Sequence, residues 1–200
     1  MSDAPLLALE GVSKIYRRGL FDRTPAFRLN VDFRIEAPGI IGVMGPNGAG
    51  KTTLFEMIAG SNVPTEGRVM VAGHDMQRVR YSERDRLAIH YHQSYQVRRF
   101  SRTKPAFLME PAGSAYPVVH LFDEPSQGLA PKIVDDVMSV VRRLKREGIA
   151  SIVVEQNAEL ALSVADRVVV LSHGTVAWTG DASVLAADPA LKRTLLGGAQ

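Results

Sequence analysis

Gly45-Pro46-Asn47-Gly48-Ala49-Gly50-Lys51-Thr52 follows the apolar run Ile40-Ile41-Gly42-Val43-Met44 and precedes Leu54, Phe55, Met57 and Ile58, which recur at helical spacing. A strand, a turn of the form GxxxxGK[ST] and a helix, in that order, make a phosphate-binding loop. The glycines let consecutive backbone N–H groups turn inward as an anion-binding nest at the positive end of a helix. Lys51 would reach the β and γ phosphates of a nucleotide, and Thr52 would hold Mg²⁺.

Working outward, Leu6 to Leu9 and Phe27 to Ile35 read as strands, and the helix from Lys51 to Ala59 ends at Gly60 before a strand at Arg68 to Val71. Downstream, Val118 to Phe122 is an apolar run ahead of Asp123-Glu124-Pro125. Pro131 then opens an amphipathic helix with Ile133, Val134, Val137, Met138, Val141 and Leu144 on one face. A strand at Ile149 to Val154, a helix at Ala158 to Val164 and a strand at Arg167 to Leu171 follow. The turn Ser172-His173-Gly174 leads into a last strand, Thr175 to Thr179. Strands alternating with helices imply right-handed crossovers and a mostly parallel sheet with helices on both faces, an α/β fold.

A length of 200 residues, 46% of them hydrophobic, suits one domain with a sizeable core. No run of 18 apolar residues occurs, and Met1-Ser2-Asp3-Ala4-Pro5 lacks the basic and apolar regions of a signal peptide, so the expected location is the cytoplasm. The absence of cysteine removes disulfide, thiolate-metal and cysteine-nucleophile chemistry. The net charge of +3 is unevenly placed: eight Arg or Lys against Glu83 and Asp85 between positions 78 and 104 leave the rest near −3. That pattern argues for one local basic surface, facing a partner or a membrane, and against a general nucleic-acid binder. A solvated basic loop is the plainer reading.

Val118-Val119-His120-Leu121-Phe122-Asp123-Glu124 is an apolar strand ending in two acids. Beside a phosphate-binding loop, Asp123 is placed to organise the Mg²⁺ shell, and Glu124 is the candidate base for an attacking water. Alone, the pair would be read as solvated acids at a strand end. His90, His92, His120 and His173 read as strand and turn residues.

Gly45-Pro46-Asn47-Gly48-Ala49-Gly50-Lys51-Thr52-Thr53 and Leu121-Phe122-Asp123-Glu124-Pro125 resemble the two nucleotide motifs of the ABC ATPases. The resemblance implies a P-loop NTPase fold of ABC type with an N-terminal antiparallel β part, and an ATPase that uses ATP and Mg²⁺. Val12-Ser13-Lys14-Ile15-Tyr16 looks like the family's aromatic loop, so Tyr16 would stack on adenine; an ordinary buried tyrosine is the other reading. Gln93 matches the glutamine that contacts Mg²⁺ and water, with Gln96 as the fallback. Toward the C-terminus the chain is similar to ATP-binding subunits of branched-chain amino-acid importers: Ser126-Gln127-Gly128-Leu129-Ala130-Pro131 resembles their dimer-contact loop, and Val153-Val154-Glu155-Gln156-Asn157 their switch region. Gln156 stands where most ABC ATPases carry a histidine that contacts the γ phosphate. Glutamine keeps an amide donor there but cannot carry a proton.

One segment breaks the likeness. The family places a helical subdomain, ending in a Leu-Ser-Gly-Gly-Gln-like signature, between the glutamine and the acidic pair; here Gln93 and Asp123 are 30 residues apart and no Ser-Gly-Gly occurs. The expected organisation is a single domain: a β part, P-loop and glutamine loop over residues 1–93, a shortened region over 94–117, and the acidic motif, dimer-contact loop and switch region over 118–200. Because the family closes each ATP site with the partner's signature, the resemblance implies integral-membrane partners and a homodimer or heterodimer with a second ATPase subunit. The assembly would lie at the inner face of the cell membrane. A degenerate or regulatory protein that binds ATP without driving transport is the alternative.

Overall fold

In the computed structural model the described residues are 5–18, 24–80, 89–93 and 119–197, with side chains described outside 89–93. Ten strands form one sheet: β1 (Leu7–Arg17), β2 (Pro25–Ile35), β3 (Ile40–Met44), β4 (Glu66–Val71), β5 (His74–Asp75), β6 (Ile89–Gln93), β7 (Val119–Asp123), β8 (Ala150–Val154), β9 (Arg167–Ser172) and β10 (Thr175–Asp181). Their spatial order is β5-β4-β1-β2-β10-β9-β3-β8-β7-β6. The helices are α1 (Lys51–Ile58), α2 (Pro131–Arg146), α3 (Ala158–Val164), α4 (Ala182–Ala187) and α5 (Pro189–Leu196).

The sheet is mixed. β9, β3, β8, β7 and β6 are parallel neighbours, whereas β1 pairs antiparallel with β2 and β4, and β10 antiparallel with β9. β3 and β8 are buried at every residue, as strands covered on both faces must be. Alternation along β7 and β8 explains the two layers. Leu121, Ile152 and Val154 pack in the cluster that holds Leu54, Phe55 and Ile58 of α1. Phe122 and Val153 point the other way, into the cluster with Val137, Met138, Val141 and Leu144 of α2. The apolar face expected for α2 is the buried one, with Ile133 and Val134 half-buried at its start.

Two parts differ from expectation. β1 does not stop near Leu9: a register shift between Leu9 and Val12, with Gly11 at φ 56, lets it continue to Arg17. The bulge absorbs the break in alternation, and the stretch expected as an aromatic loop is strand. Beyond β10, α4 and α5 were not expected; they cover Met44, Val168 and Val170. Asp188 accepts from Ala190 N and Leu191 N ahead of Pro189, a capping arrangement that starts α5. The shortened region at 94–117, Gln96 and most of the basic stretch 78–104 lie outside the described residues.

Candidate functional site

Three neighbouring parallel strands end side by side. β3 runs into the glycine-rich loop, β7 ends at Asp123, and β8, between them, ends ahead of Glu155-Gln156-Asn157. The carboxyl ends of parallel strands are where α/β folds build ligand sites. Topology thus joins residues more than a hundred positions apart.

Within the loop, Gly45 has φ 147, and a Cβ there would come 2.2 Å from the carbonyl oxygen of Leu171. At Gly50 (φ 103) a Cβ would meet Leu29 Cδ1 at 2.7 Å and Phe27 Cζ at 3.0 Å. Only glycine lets the loop lie this close to β9 and β2. Gly50 N-caps α1 with no side-chain cap, and the first turn carries no acidic residue, so the leading N–H groups suit an external anion. Lys51 is buried, and its Nζ donates to Gly45 O at 2.8 Å and Pro46 O at 3.0 Å. An ammonium carries three donors, which leaves one for a phosphate oxygen. Burial pushes the Lys51 pKa below its ordinary 10.5, opposed by the carboxylates of Glu124 and Asp123. An anion here would relieve that desolvation.

An open pocket of about 400 Å³ is lined by Tyr16 and Phe27, by loop and helix residues between Asn47 and Thr53, and by Glu124. Tyr16 pairs with Phe27 across β1 and β2, with ring centroids 6.3 Å apart, and remains 37% exposed. This exposure makes the buried-core reading of Tyr16 the wrong one. Asn62 Nδ2 donates to the Tyr16 hydroxyl at 2.7 Å and to Glu56 Oε2 at 3.0 Å, and the Lys14 ammonium lies 5.6 Å from the ring centroid. The ring is therefore anchored at its hydroxyl.

On the acidic side, Glu124 adopts φ 48, uncommon for a residue with a Cβ, and its N–H donates to Val154 O at 2.9 Å. Gln156 Nε2 donates to Glu124 Oε1 at 2.6 Å. Glu155 is buried; its carboxylate accepts from Ser126 N at 2.9 Å and Ser126 Oγ at 2.8 Å. Burial raises the Glu155 pKa above the ordinary 4.5, while the Ser126 hydrogen bonds act in the opposite direction. Asp123 is half-buried and sits opposite Gln93 in the β6–β7 register. Among the described residues no three His, Asp or Glu side chains cluster as metal ligands. The donor set of Thr52 and Asp123 beside a phosphate cradle fits Mg²⁺ brought with a nucleotide, an ion that takes few protein ligands.

Sequence reasoning missed several neighbours of this site. Phe27 is legible in hindsight from the alternation of β2. His173 lies in the expected turn, yet it lines a second pocket of about 510 Å³ together with Gly45, Gln156 and Leu196, and no local pattern announces that. His120 is a buried strand residue stacked 6.0 Å from Phe122, as read from the sequence.

Residues 29–172 match the family described as ABC transporter. The high-affinity branched-chain amino acid transport ATP-binding protein BraG of Pseudomonas aeruginosa is 28% identical, over 84% of this chain and 92% of that protein. The methionine import ATP-binding protein MetN of Nocardia farcinica is 29% identical, over 88% of this chain and 67% of its own length. A cassette of an ABC transporter in its ADP conformation superposes with a TM-score of 0.72 at 18% identity, covering 95% of this chain and 98% of that one. The BraG alignment runs over 215 positions, although 84% of 200 residues is only 168, so about 47 of its positions stand opposite gaps in this chain.

Proposed function

The chain belongs to the ABC transporter family of ATP-binding proteins, and on that premise we propose that it is the nucleotide-binding subunit of a membrane transporter, bound to membrane-spanning partners at the cytoplasmic face. The observation that carries this is the meeting of the glycine-rich loop, Asp123, Glu124 and Gln156 at the ends of three adjacent parallel strands, beside a pocket that includes Tyr16.

In this reading adenine stacks on Tyr16 and the phosphates lie in the loop from Gly45 to Thr53, with Lys51 on the β and γ phosphates. Thr52, Asp123 and Gln93 would hold Mg²⁺, which would supply positive charge to offset that developing on the phosphates. Glu124 orients the attacking water and takes its proton. Gln156, donating to Glu124 Oε1, keeps that carboxylate turned to one side and leaves its other oxygen for water. Amide chemistry at Gln156 means the proton stays with Glu124.

The missing Ser-Gly-Gly and the gap of about 47 positions support a site with one wall absent from this chain. A second ATPase subunit with an intact signature would supply it, making a heterodimer the working unit. Similarity to BraG supports branched-chain amino acids as the transported class. Transition-state donors are worth roughly 10²–10³ in rate each, so the chain alone should turn over slowly. Mixing it with a signature-bearing ATPase subunit should raise Mg-ATP hydrolysis at least about tenfold, and Glu124→Gln in this chain should abolish the gain. Fast turnover by the chain alone, lost in Glu124→Gln, would show that its own residues close the site.

A further inference from the structure

Glu155 is a buried carboxylate with no part in the steps just described. It stands 2% exposed at the end of β8, and among the described residues its recorded hydrogen-bond partners are uncharged: Ser126 N at 2.9 Å, Ser126 Oγ at 2.8 Å and the Gln156 backbone. A buried carboxylate without a cation is costly, and a methyl or amide would fill the space more cheaply. Its own backbone N–H points to Val43 O in the strand that leads into the phosphate loop, at 3.4 Å. Glu155 therefore ties three strand ends together.

What it ties is the corner that carries the candidate base. Glu124 is held at φ 48, a conformation that persists only where its surroundings over-determine it. Its N–H is fixed by Val154 O, the residue before Glu155, and its carboxylate by Gln156, the residue after. Ser126, two residues beyond Glu124, is fixed by Glu155 itself, across 29 positions of sequence. Three consecutive residues of one strand end, Val154, Glu155 and Gln156, thus hold Glu124 and Ser126 on either side of Pro125.

We propose that Glu155 is a positioning residue for hydrolysis: by accepting from Ser126 N and Oγ it clamps the Glu124-Pro125-Ser126 corner and fixes where the Glu124 carboxylate stands over the phosphate loop. This rests on the reading of Glu124 as the base. Displacement of a catalytic group by about 1 Å costs on the order of a hundredfold in rate.

The test uses Glu155→Leu, which removes both acceptors, and Glu155→Gln, whose amide keeps one acceptor for Ser126 N and donates to Ser126 Oγ instead. Hydrolysis of Mg-ATP is followed with enzyme in excess, together with the signature-bearing subunit. Glu155→Leu should lower the maximal rate roughly 10–100-fold with KM within about twofold, and Glu155→Gln should recover most of it. In a Glu124→Gln background Glu155→Leu should cost nothing further, because the group it positions is gone. An equal fall in that background, or a matching loss of ATP affinity, would mark a structural role and overturn the proposal. So would full activity of Glu155→Leu where Glu124→Gln is inactive. Full activity of Glu124→Gln would overturn the base assignment and the clamp with it. Amide hydrogen exchange needs no turnover: in Glu155→Leu the amides of Ser126 and Glu124 should lose protection together while Leu54 and Ala59 in and after α1 keep theirs. Undiminished protection at Glu124 would overturn the clamp.

Discussion

Tyr16 shows how much one side chain's surroundings alter its expected behaviour. Stacking on a base needs only an aromatic face, worth about 1–3 kcal/mol by truncation. The hydroxyl nevertheless accepts from Asn62, which is itself tied to Glu56. Tyr16→Ala should weaken Mg-ATP binding roughly 5–100-fold. Tyr16→Phe should weaken it only about two- to fivefold, through loss of one exposed hydrogen bond that orients the ring. Fluorescent ATP titration distinguishes the two; equal losses would mean that the hydroxyl, not the ring, does the binding. Glu155 carries a prediction of a different kind. Its folded-state pKa lies above the ordinary 4.5, so the folded protein holds this proton more tightly than the unfolded chain does. Its contribution to stability is complete below about pH 4.5 and declines as pH rises through the raised value. Urea denaturation of wild type against Glu155→Gln should therefore show the variant gaining relative stability as pH rises from that point, and no gain below it. A difference that runs the other way would mean the carboxylate is stabilised in its charged form.

At the scale of elements, the β3-loop-α1 unit depends on two close approaches of unequal severity. A Cβ at Gly45 would meet a carbonyl oxygen of β9, which cannot move without breaking the strand, whereas one at Gly50 would meet the far ends of Leu29 and Phe27. Gly45→Ala should cost more than the roughly 1–3 kcal/mol of backbone strain alone, and Gly50→Ala about that amount. In a chain of this length that is about 2–4 °C in Tm per kcal/mol, read by calorimetry. Equal Tm values for the two variants would show that the end of β9 gives way easily. The same unit was legible in the sequence because motif, apolar strand and helical periodicity coincide within nineteen positions, from Ile40 to Ile58. The buried face of α2 was legible for the same reason, its periodicity being uninterrupted from Val134 to Leu144. Strand β1 past Gly11 was not, since the bulge shifts the alternation that marks a strand. Helices α4 and α5 were missed although Asp188-Pro189 carries a cap and a first-turn proline; short helices with few buried residues leave a weak pattern.

For the whole molecule, sheet order decides function, and it is the part least written in local sequence. The insertion of β8 between β3 and β7 places Glu155 and Gln156 between the loop and the acidic pair, and nothing near residue 155 specifies that neighbour. Ser126 and Glu155 each look ordinary; their contact exists only through the order of strands. Residue types at the candidate site were readable from motifs, whereas the anchoring of Tyr16 by Asn62, the Glu124–Gln156 bond and the Ser126–Glu155 pair were not. The central claim is that this assembly binds nucleotide through its phosphate loop. Among the described residues the Lys51 ammonium hydrogen-bonds only to two carbonyls of the loop itself, Gly45 O and Pro46 O, so Lys51→Ala should disturb the loop and leave the sheet and α2 folded. Calorimetric titration of Mg-ATP into wild type and Lys51→Ala, with circular dichroism to compare their folds, tests this directly. Saturable binding by wild type and a loss of at least about a hundredfold in the variant, from a charge-assisted phosphate contact of roughly 3 kcal/mol, is the expected result; unchanged affinity in a folded Lys51→Ala protein would contradict it.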